Sequence, residues 1–339
     1  MSRKKANHKP LARKIVTVSV FAMPIGLMAA CASTPAANVA ATRAVTTPST
    51  SAPAPQRTSS SPTPSPTPIN LTAGTRLTIS NGSGSVLMNG TAVSFGGTVR
   101  DLAWSPDGAK AVFIDEDGDL VVANADGSGR FVLAKNPGDE IWSHPTWLRS
   151  GGEYISPDTR DDVFFASLKD DVSTLLFVPA DAPDGTPQTA RLNDGAGPNV
   201  TPLPQTGNLW PNAAGTRGSS VYQNTSDATA EVYIRDDYIR QQGWEVTPGA
   251  QPALAPDESA VVFTRSVDGH QHLFRRNLMT PNATDKDLTP DATVDYTAPV
   301  WSPDGKTIAF ATPTGVDTIS ADGGALTVVS NSVGVPAYR

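Results

Sequence analysis

A single cysteine, Cys31, is all the sulfhydryl chemistry this 339-residue chain has, so no intramolecular disulfide can close it and no cysteine-bound zinc site can be built. Charged residues make up only 17% of it, against about a quarter in ordinary globular chains. Basic residues are the minority, 26 against 33 acidic, for a formal charge of −7. Only four histidines occur, His8, His144, His270 and His272. No Gly-x-Ser-x-Gly elbow exists, which removes the nucleophile that serine hydrolases of that type carry. The apolar run from Ile15 to Ala30 holds 16 residues and is interrupted by Pro24 and Gly26, short of the ~20 that cross a bilayer.

What precedes that run explains it. Arg3, Lys4, Lys5, Lys9, Arg13 and Lys14 form a basic leader without an acid, so residues 1–30 read as an export signal. Leu27-Met28-Ala29-Ala30-Cys31 resembles the bacterial lipobox, departing from it at Met28, and implies lipidation of Cys31; ordinary cleavage is the alternative. Apart from Asn38, Val39, Arg43, Val45, Gln56 and Arg57, residues 32–68 are Ala, Ser, Thr or Pro. Such a composition buries almost nothing, so 31–68 reads as the lipidated cysteine and a disordered tether. Without residues 1–30 the balance is 20 basic against 33 acidic, or −13. An acidic exported chain repels nucleic acid and anionic headgroups, which excludes both as partners.

The remaining segment, 69–339, repeats itself. Trp104-Ser105-Pro106-Asp107-Gly108 returns as Trp301-Ser302-Pro303-Asp304-Gly305. Ser, Pro, Asp and Gly in that order suit the four positions of a type I turn, so each copy predicts a strand end and a hairpin. Weaker copies share a proline two residues before an anchor: Pro145/Trp147, Pro211/Ala213, Pro252/Leu254, Pro299/Trp301 and Pro336/Tyr338, with Leu102 in that place before Trp104. The anchors are 43, 66, 41, 47 and 37 residues apart, near the forty or so of a propeller blade, with one insertion after Trp147. Arg76–Ser80, Ser85–Met88 and Thr91–Phe95 read as strands lacking an anchor, with Asn81-Gly82 and Asn89-Gly90 as tight turns between them. Val335–Arg339 reads as an anchor strand lacking its successors. The expected fold is therefore an all-β, six-bladed propeller of four-stranded blades, closed by the two ends of the chain sharing one blade.

These anchors, with the turns Ala125-Asp126-Gly127 and Ala321-Asp322-Gly323 and the degraded Leu254-Ala255-Pro256-Asp257-Glu258, resemble the WD40-like (PD40) repeats of the TolB family across residues 76–339. The resemblance implies a noncatalytic binding ring in the cell envelope. The α/β domain that precedes the propeller in that family has no counterpart in residues 32–75. LpqB-type actinobacterial lipoproteins, with a propeller behind a lipid anchor, suggest a sensor-associated accessory role as a further alternative.

Candidate chemistry is sparse. Asp115-Glu116-Asp117-Gly118-Asp119 reads as a charged hairpin tip, with a Ca²⁺ loop as the alternative. His270 and His272 fall on one face of a strand and read as surface residues, with a metal or carboxylate site as the alternative. Ring geometry places the residue before each anchor proline at one channel mouth: Asp101, His144, Trp210, Gln251, Ala298 and Val335. The expected ligand or partner site is Asp101, His144, Trp210 and Gln251, needing no cofactor or metal and taking an envelope protein or cell-wall component. A propeller-type glycan lyase or hydrolase built on Asp101, His144, His270 and Asp119 is the alternative. The inserted blade, including Arg160-Asp161-Asp162 and the Pro/Gly-rich 180–201, reads as a tolerated surface insertion or a recognition loop.

Overall fold

The computed structural model describes residues 67–151, 160–181, 183–195, 200–214, 217–236 and 242–339. The leader, Cys31 and the tether up to residue 66 lie outside them. Among the described residues there is no helix, so none is long and apolar enough to cross a membrane.

Twenty-four strands form six four-stranded antiparallel sheets. The first blade joins both chain ends: β24 (Val335–Tyr338), β1 (Leu77–Ser80), β2 (Ser85–Met88) and β3 (Thr91–Ser94), in that order. The second is β4 (Arg100–Trp104), β5 (Lys110–Ile114), β6 (Leu120–Asn124) and β7 (Phe131–Ala134). The third is β8 (Ile141–Ser150), β9 (Arg160–Lys169), β10 (Val172–Pro179) and β11 (Gln188–Thr189). The fourth is β12 (Asn208–Ala213), β13 (Ser219–Asn224), β14 (Glu231–Asp236) and β15 (Gly243–Pro248). The fifth is β16 (Ala250–Leu254), β17 (Ala260–Val267), β18 (His270–Asn277) and β19 (Lys286–Asp287). The sixth is β20 (Thr297–Trp301), β21 (Thr307–Thr312), β22 (Gly315–Ser320) and β23 (Thr327–Ser330). This is a six-bladed propeller, and every anchor residue sits in the first strand of its blade. The insertion falls in the third blade, whose β8 and β9 run to ten residues each.

The Ser-Pro-Asp-Gly turns form as their residue order dictates. Gly108 N–H donates to the Ser105 carbonyl at 2.7 Å, and Gly305 N–H to that of Ser302 at 2.8 Å. In both, the serine hydroxyl donates to the aspartate at 2.6 Å and receives the N–H of the residue that opens the next strand. The serine hydroxyl holds the Asp107 and Asp304 carboxyls below the usual range. Gly108 and Gly305 adopt φ of +69° and +68°, and Glu258 has to take +60° in the degraded copy.

Six buried clusters fill the six interfaces between neighbouring blades, because alternate side chains of each strand point to opposite neighbours. Five interfaces contain an aromatic pair, such as Phe95 with Phe113 at 5.8 Å and Tyr296 with Phe310 at 4.9 Å. The interface where the ring closes, between the sixth blade and the first, has the smallest cluster: Leu77, Ile79, Ala309, Val316 and Val329. There β24 pairs β1 in unbroken register from Leu77↔Tyr338 to Ser80↔Val335. Burial pushes the Tyr338 hydroxyl up to about 12. Thr78 ties this seam to the next blade: its hydroxyl donates to the Ala337 carbonyl at 2.8 Å and accepts the Trp104 indole N–H at 3.0 Å. Trp301 makes the equivalent reach backward, donating to the Ala253 carbonyl at 3.0 Å.

One detail departs from the sequence expectation. Asn89-Gly90 makes the two-residue turn, with both φ positive and Met88 facing Thr91. Asn81-Gly82 instead opens a four-residue loop, because Gly82 N–H is drawn to the Val99 carbonyl and Val99 N–H to that of Ser83, both at 3.1 Å. The ring also begins earlier than its first strand. Leu71 N–H donates to the Val329 carbonyl at 2.9 Å, and the Asn331 amide donates to the Thr67 carbonyl at 3.0 Å.

Replacing Thr78 by Val keeps its shape and removes both bonds, leaving the Trp104 indole N–H without a partner in a buried site. Urea unfolding should show a loss of about 1–3 kcal/mol, while Thr78→Ser should recover most of it; equal stability of Thr78→Val and wild type would remove Thr78 from the closure.

Candidate functional site: the channel mouth

Five of the six innermost strands share one irregularity. The β4–β5 register runs from Arg100↔Ile114 to Ala103↔Val112, so Asp101 and Leu102 together face Phe113. The same two-against-one bulge sets His144-Pro145 against Phe165, Trp210-Pro211 against Tyr222, Gln251-Pro252 against Phe263, and Ala298-Pro299 against Phe310. The opposing residue is a fully buried aromatic every time. The first bulge residue is left-handed every time, with φ between 49° and 55°. The second is an unpaired position, where proline's missing N–H does no harm, which explains the repeated proline. In the first blade Pro336 pairs Ile79 in regular register, with neither bulge nor aromatic, so Val335 is an ordinary strand residue.

A bulge strands the N–H of its first residue, and a side chain from the preceding blade collects it in three cases. Asp101 Oδ2 accepts His144 N–H at 3.1 Å. Gln223 Oε1 accepts Gln251 N–H at 3.0 Å, and Gln251 Oε1 accepts Ala298 N–H at 2.8 Å. Deeper in the channel the Thr146 hydroxyl accepts Ala213 N–H at 3.0 Å, and Asn212 Oδ1 accepts Leu254 N–H at 2.8 Å. Adjacent inner strands are thus stitched by side chain to backbone.

A cavity of about 310 Å³ runs down the axis and is lined by inner strands of all six blades. Asp101, His144, Trp210, Ala298 and Val335 border it; Gln251 does not, since its amide is turned to Ala298. The His144 imidazole lies against the Trp210 indole, with ring centroids 3.6 Å apart and planes inclined at 33°. His144 Nδ1 stands 4.0 Å from Asp101 Oδ2, too far for a hydrogen bond, and is buried without a partner. Burial pulls the His144 pKa below the ordinary imidazole value, and the Asp101 carboxylate opposes that only partly. Arg76 and Arg339 border the same cavity near the Ser-Pro-Asp-Gly face.

The other candidates do not join this site. Asp119 Oδ1 accepts Asn136 N–H at 2.8 Å, and His270 faces Asp295 at 3.8 Å; neither borders the channel, so the four residues of the hydrolytic alternative are not assembled. The acids around Gly118 tie up their own hairpin: Asp115 Oδ1 accepts the N–H groups of Asp117 and Asp119, and Oδ2 meets Arg130 at 2.8 Å. His270 and His272 share a strand face, as expected, yet diverge to different acids. His272 is buried with its Nδ1 3.0 Å from Asp287. Among the described residues no group of three or more His, Cys, Asp or Glu side chains is placed to hold a metal.

No family model matches the chain, and no curated protein does either. Solved structures match in fold. TolB from Acinetobacter baumannii aligns with 70% of this chain and 54% of its own, so the chain spans about half of that protein, at 17% identity and a TM-score of 0.46. A putative TolB from Agrobacterium tumefaciens aligns with 70% of this chain and 82% of its own at 16% identity and a TM-score of 0.50. A chain of a nidogen/laminin complex aligns with 77% of this chain and 97% of its own at 10% identity and a TM-score of 0.51. At these identities the likeness is one of propeller fold alone.

The environment of His144 makes a prediction with a definite sign. Its folded pKa lies below the unfolded value of about 6.5, so the folded chain prefers the neutral ring. The stability this provides is complete above the unfolded pKa and declines as pH falls through it. An NMR titration of the imidazole should show a midpoint below that of an unfolded peptide; a midpoint above it would contradict the burial of the ring.

Proposed function

We propose that this chain is a noncatalytic binding ring whose partner, an envelope protein or cell-wall component, docks at the channel mouth formed by Asp101, His144 and Trp210, with Gln251 holding the neighbouring blade in place. The observation that carries this is the identity of the bulge residues. A left-handed φ suits glycine and costs other residues about 1–2 kcal/mol each, yet aspartate, histidine, tryptophan and glutamine occupy four of the five bulges. Backbone strain of this kind concentrates at functional positions. A purely structural bulge gains nothing from a half-buried indole stacked on an imidazole at the entrance of a cavity. Support of a lesser kind comes from the nidogen/laminin structure, in which the similar chain belongs to a protein complex.

The location belongs to the same proposal. The basic leader and the lipobox-like Leu27–Cys31 favour export and lipid anchoring at Cys31, and the Ala/Ser/Thr/Pro-rich stretch up to residue 68 favours a tether that holds the ring off the membrane. Chemistry at the ring is not required for this role.

A photo-crosslinking amino acid at Val335, beside the mouth, should yield a discrete adduct in cells, and the same group at exposed Val328 on outer strand β23 should not. The adduct should vanish in His144→Ala and Trp210→Ala; persistence in both would remove the mouth from the interaction. Cys31→Ser should move the protein from the membrane fraction to the soluble one and abolish incorporation of labelled fatty acid. Unchanged fractionation and labelling would overturn the anchor.

A further inference from the structure

The mouth has a chemical preference that the binding role leaves open. Asp101 carries a carboxylate that no lysine or arginine among the described residues pairs with; the ionisable group that faces it is His144. Its Oδ2 takes the His144 N–H, and Oδ1 accepts no hydrogen bond from the described residues. His144 is kept neutral by burial, which leaves the imidazole able to present an unprotonated nitrogen, and its Nδ1 is the buried polar atom without a partner. That Nδ1 and Asp101 Oδ2, the oxygen that takes the His144 N–H and has a second lone pair left, therefore face one space 4.0 Å across. A single nitrogen donor at ~2.9 Å from each bridges that gap. The Trp210 indole closes one side of the space, and Pro145, Pro211, Pro299 and Pro336 supply apolar wall beneath it.

From this juxtaposition we infer that the mouth receives a cationic nitrogen donor, the ammonium or guanidinium of a lysine or arginine side chain projecting from the partner. The inference rests on the binding role proposed for the mouth and specifies its chemistry. Charge favours it, since the chain is acidic overall and attracts cations to a cleft with low-dielectric walls. The guanidiniums that border the same channel, Arg76 and Arg339, do not neutralise Asp101. They lie at the level of the Ser105 turn, on the order of 13 Å away by strand rise, beyond contact. A cavity of about 310 Å³ is at the lower bound of ligand pockets, roughly 300 Å³, and suits one side chain with an apolar stem better than a folded element. A metal ion is disfavoured because only Asp101 and His144 converge.

The test uses the full chain and small probes, N-acetyl-lysine methylamide, N-acetyl-arginine methylamide and the uncharged N-acetyl-norleucine methylamide, read by Trp fluorescence and the imidazole resonances of His144. One or both cationic probes should bind at least about tenfold more tightly than norleucine, a difference of about 1.4 kcal/mol. Which of the two binds better identifies the donor. Asp101→Asn retains an oxygen for the His144 N–H, so its melting curve should match wild type while cation binding falls at least about tenfold. Equal binding of norleucine and the cations overturns the inference, as does binding indifferent to Asp101→Asn, or saturation of the site by zinc in place of the probes. Crosslinking from Val335 in the Asp101→Asn background separates this inference from the role it rests on. Loss of an adduct that wild type forms supports the cation. An adduct that survives leaves the mouth as a docking site and overturns the cation; no adduct in wild type overturns the docking site itself.

Discussion

The bulge at the entrance of the inner strands is the constraint on which the rest of the ring depends. Two residues of an inner strand have to face one aromatic of the next strand, Phe113, Phe165, Tyr222, Phe263 or Phe310, each fully buried. The extra residue increases local twist and bends the strand, and the aromatic supplies the bulk that fills the blade behind the bend. From this follow the left-handed residue, the proline beside it, and the freed N–H that the preceding blade collects through Asp101, Gln223 or Gln251. The result is that three of the six neighbouring blade pairs are fixed to one another at the tips of their inner strands. The mouth is therefore preorganised, and its side chains need little reordering on binding.

The first blade is the exception and shows why. Its inner strand β24 comes from the other end of the chain, and its register against β1 has no bulge. Closure relies instead on an unbroken ladder, on Thr78, and on the Arg339 N–H, which donates to the Arg76 carbonyl at 2.9 Å. The apolar cluster at this seam is the smallest of the six, and the lone cysteine excludes a disulfide that would relieve it. A bulge here would interrupt the hydrogen bonds that keep the chain ends together. Regular pairing at the seam and bulged pairing elsewhere are two answers to one problem: a ring needs inner strands that are bent, and it also needs one joint that holds.

Most of the architecture was legible in the sequence because turn chemistry is local. Ser-Pro-Asp-Gly specifies its own hydrogen bonds, and the spacing of anchors specifies the blades. The proline two residues before each anchor was legible as a signal, yet its cause was not, since the bulge it marks is defined by pairing with a second strand. The left-handed residue beside it could not be read either. Glycine would have announced it, but Asp, His, Trp, Gln and Ala stand there. The opposing aromatic follows the left-handed residue by 12 positions in four of the five blades and by 21 in the third, a repeat that stands in the sequence but has no meaning until the bulge is known. The mouth residues emerged from ring geometry for the same reason the blades did. Gln251 stands at the expected bulge, but its amide is recruited to Ala298 N–H, a contact between blades that no local pattern encodes. Asn81-Gly82 shows the same limit, with Val99 reshaping what residue type alone assigns to a tight turn.

The site raises a question of competing demands on one side chain. Asp101 caps a bulge through Oδ2 and still borders the channel, whereas Gln251 performs the same cap and turns away from it. An amide would have served the cap at Asp101 as well, without a charge near a buried imidazole. A carboxylate there raises the desolvation demand on its surroundings and yet finds no cation among the described residues at contact distance. His144 compounds this, since an apolar ring stacked on Trp210 would pack without leaving a nitrogen unpaired. A negative charge and an unpaired nitrogen that the fold does not need, held 4.0 Å apart by a backbone that the fold does need, make sense when a third group completes them. The ring fixes the spacing, and the occupant supplies the missing charge.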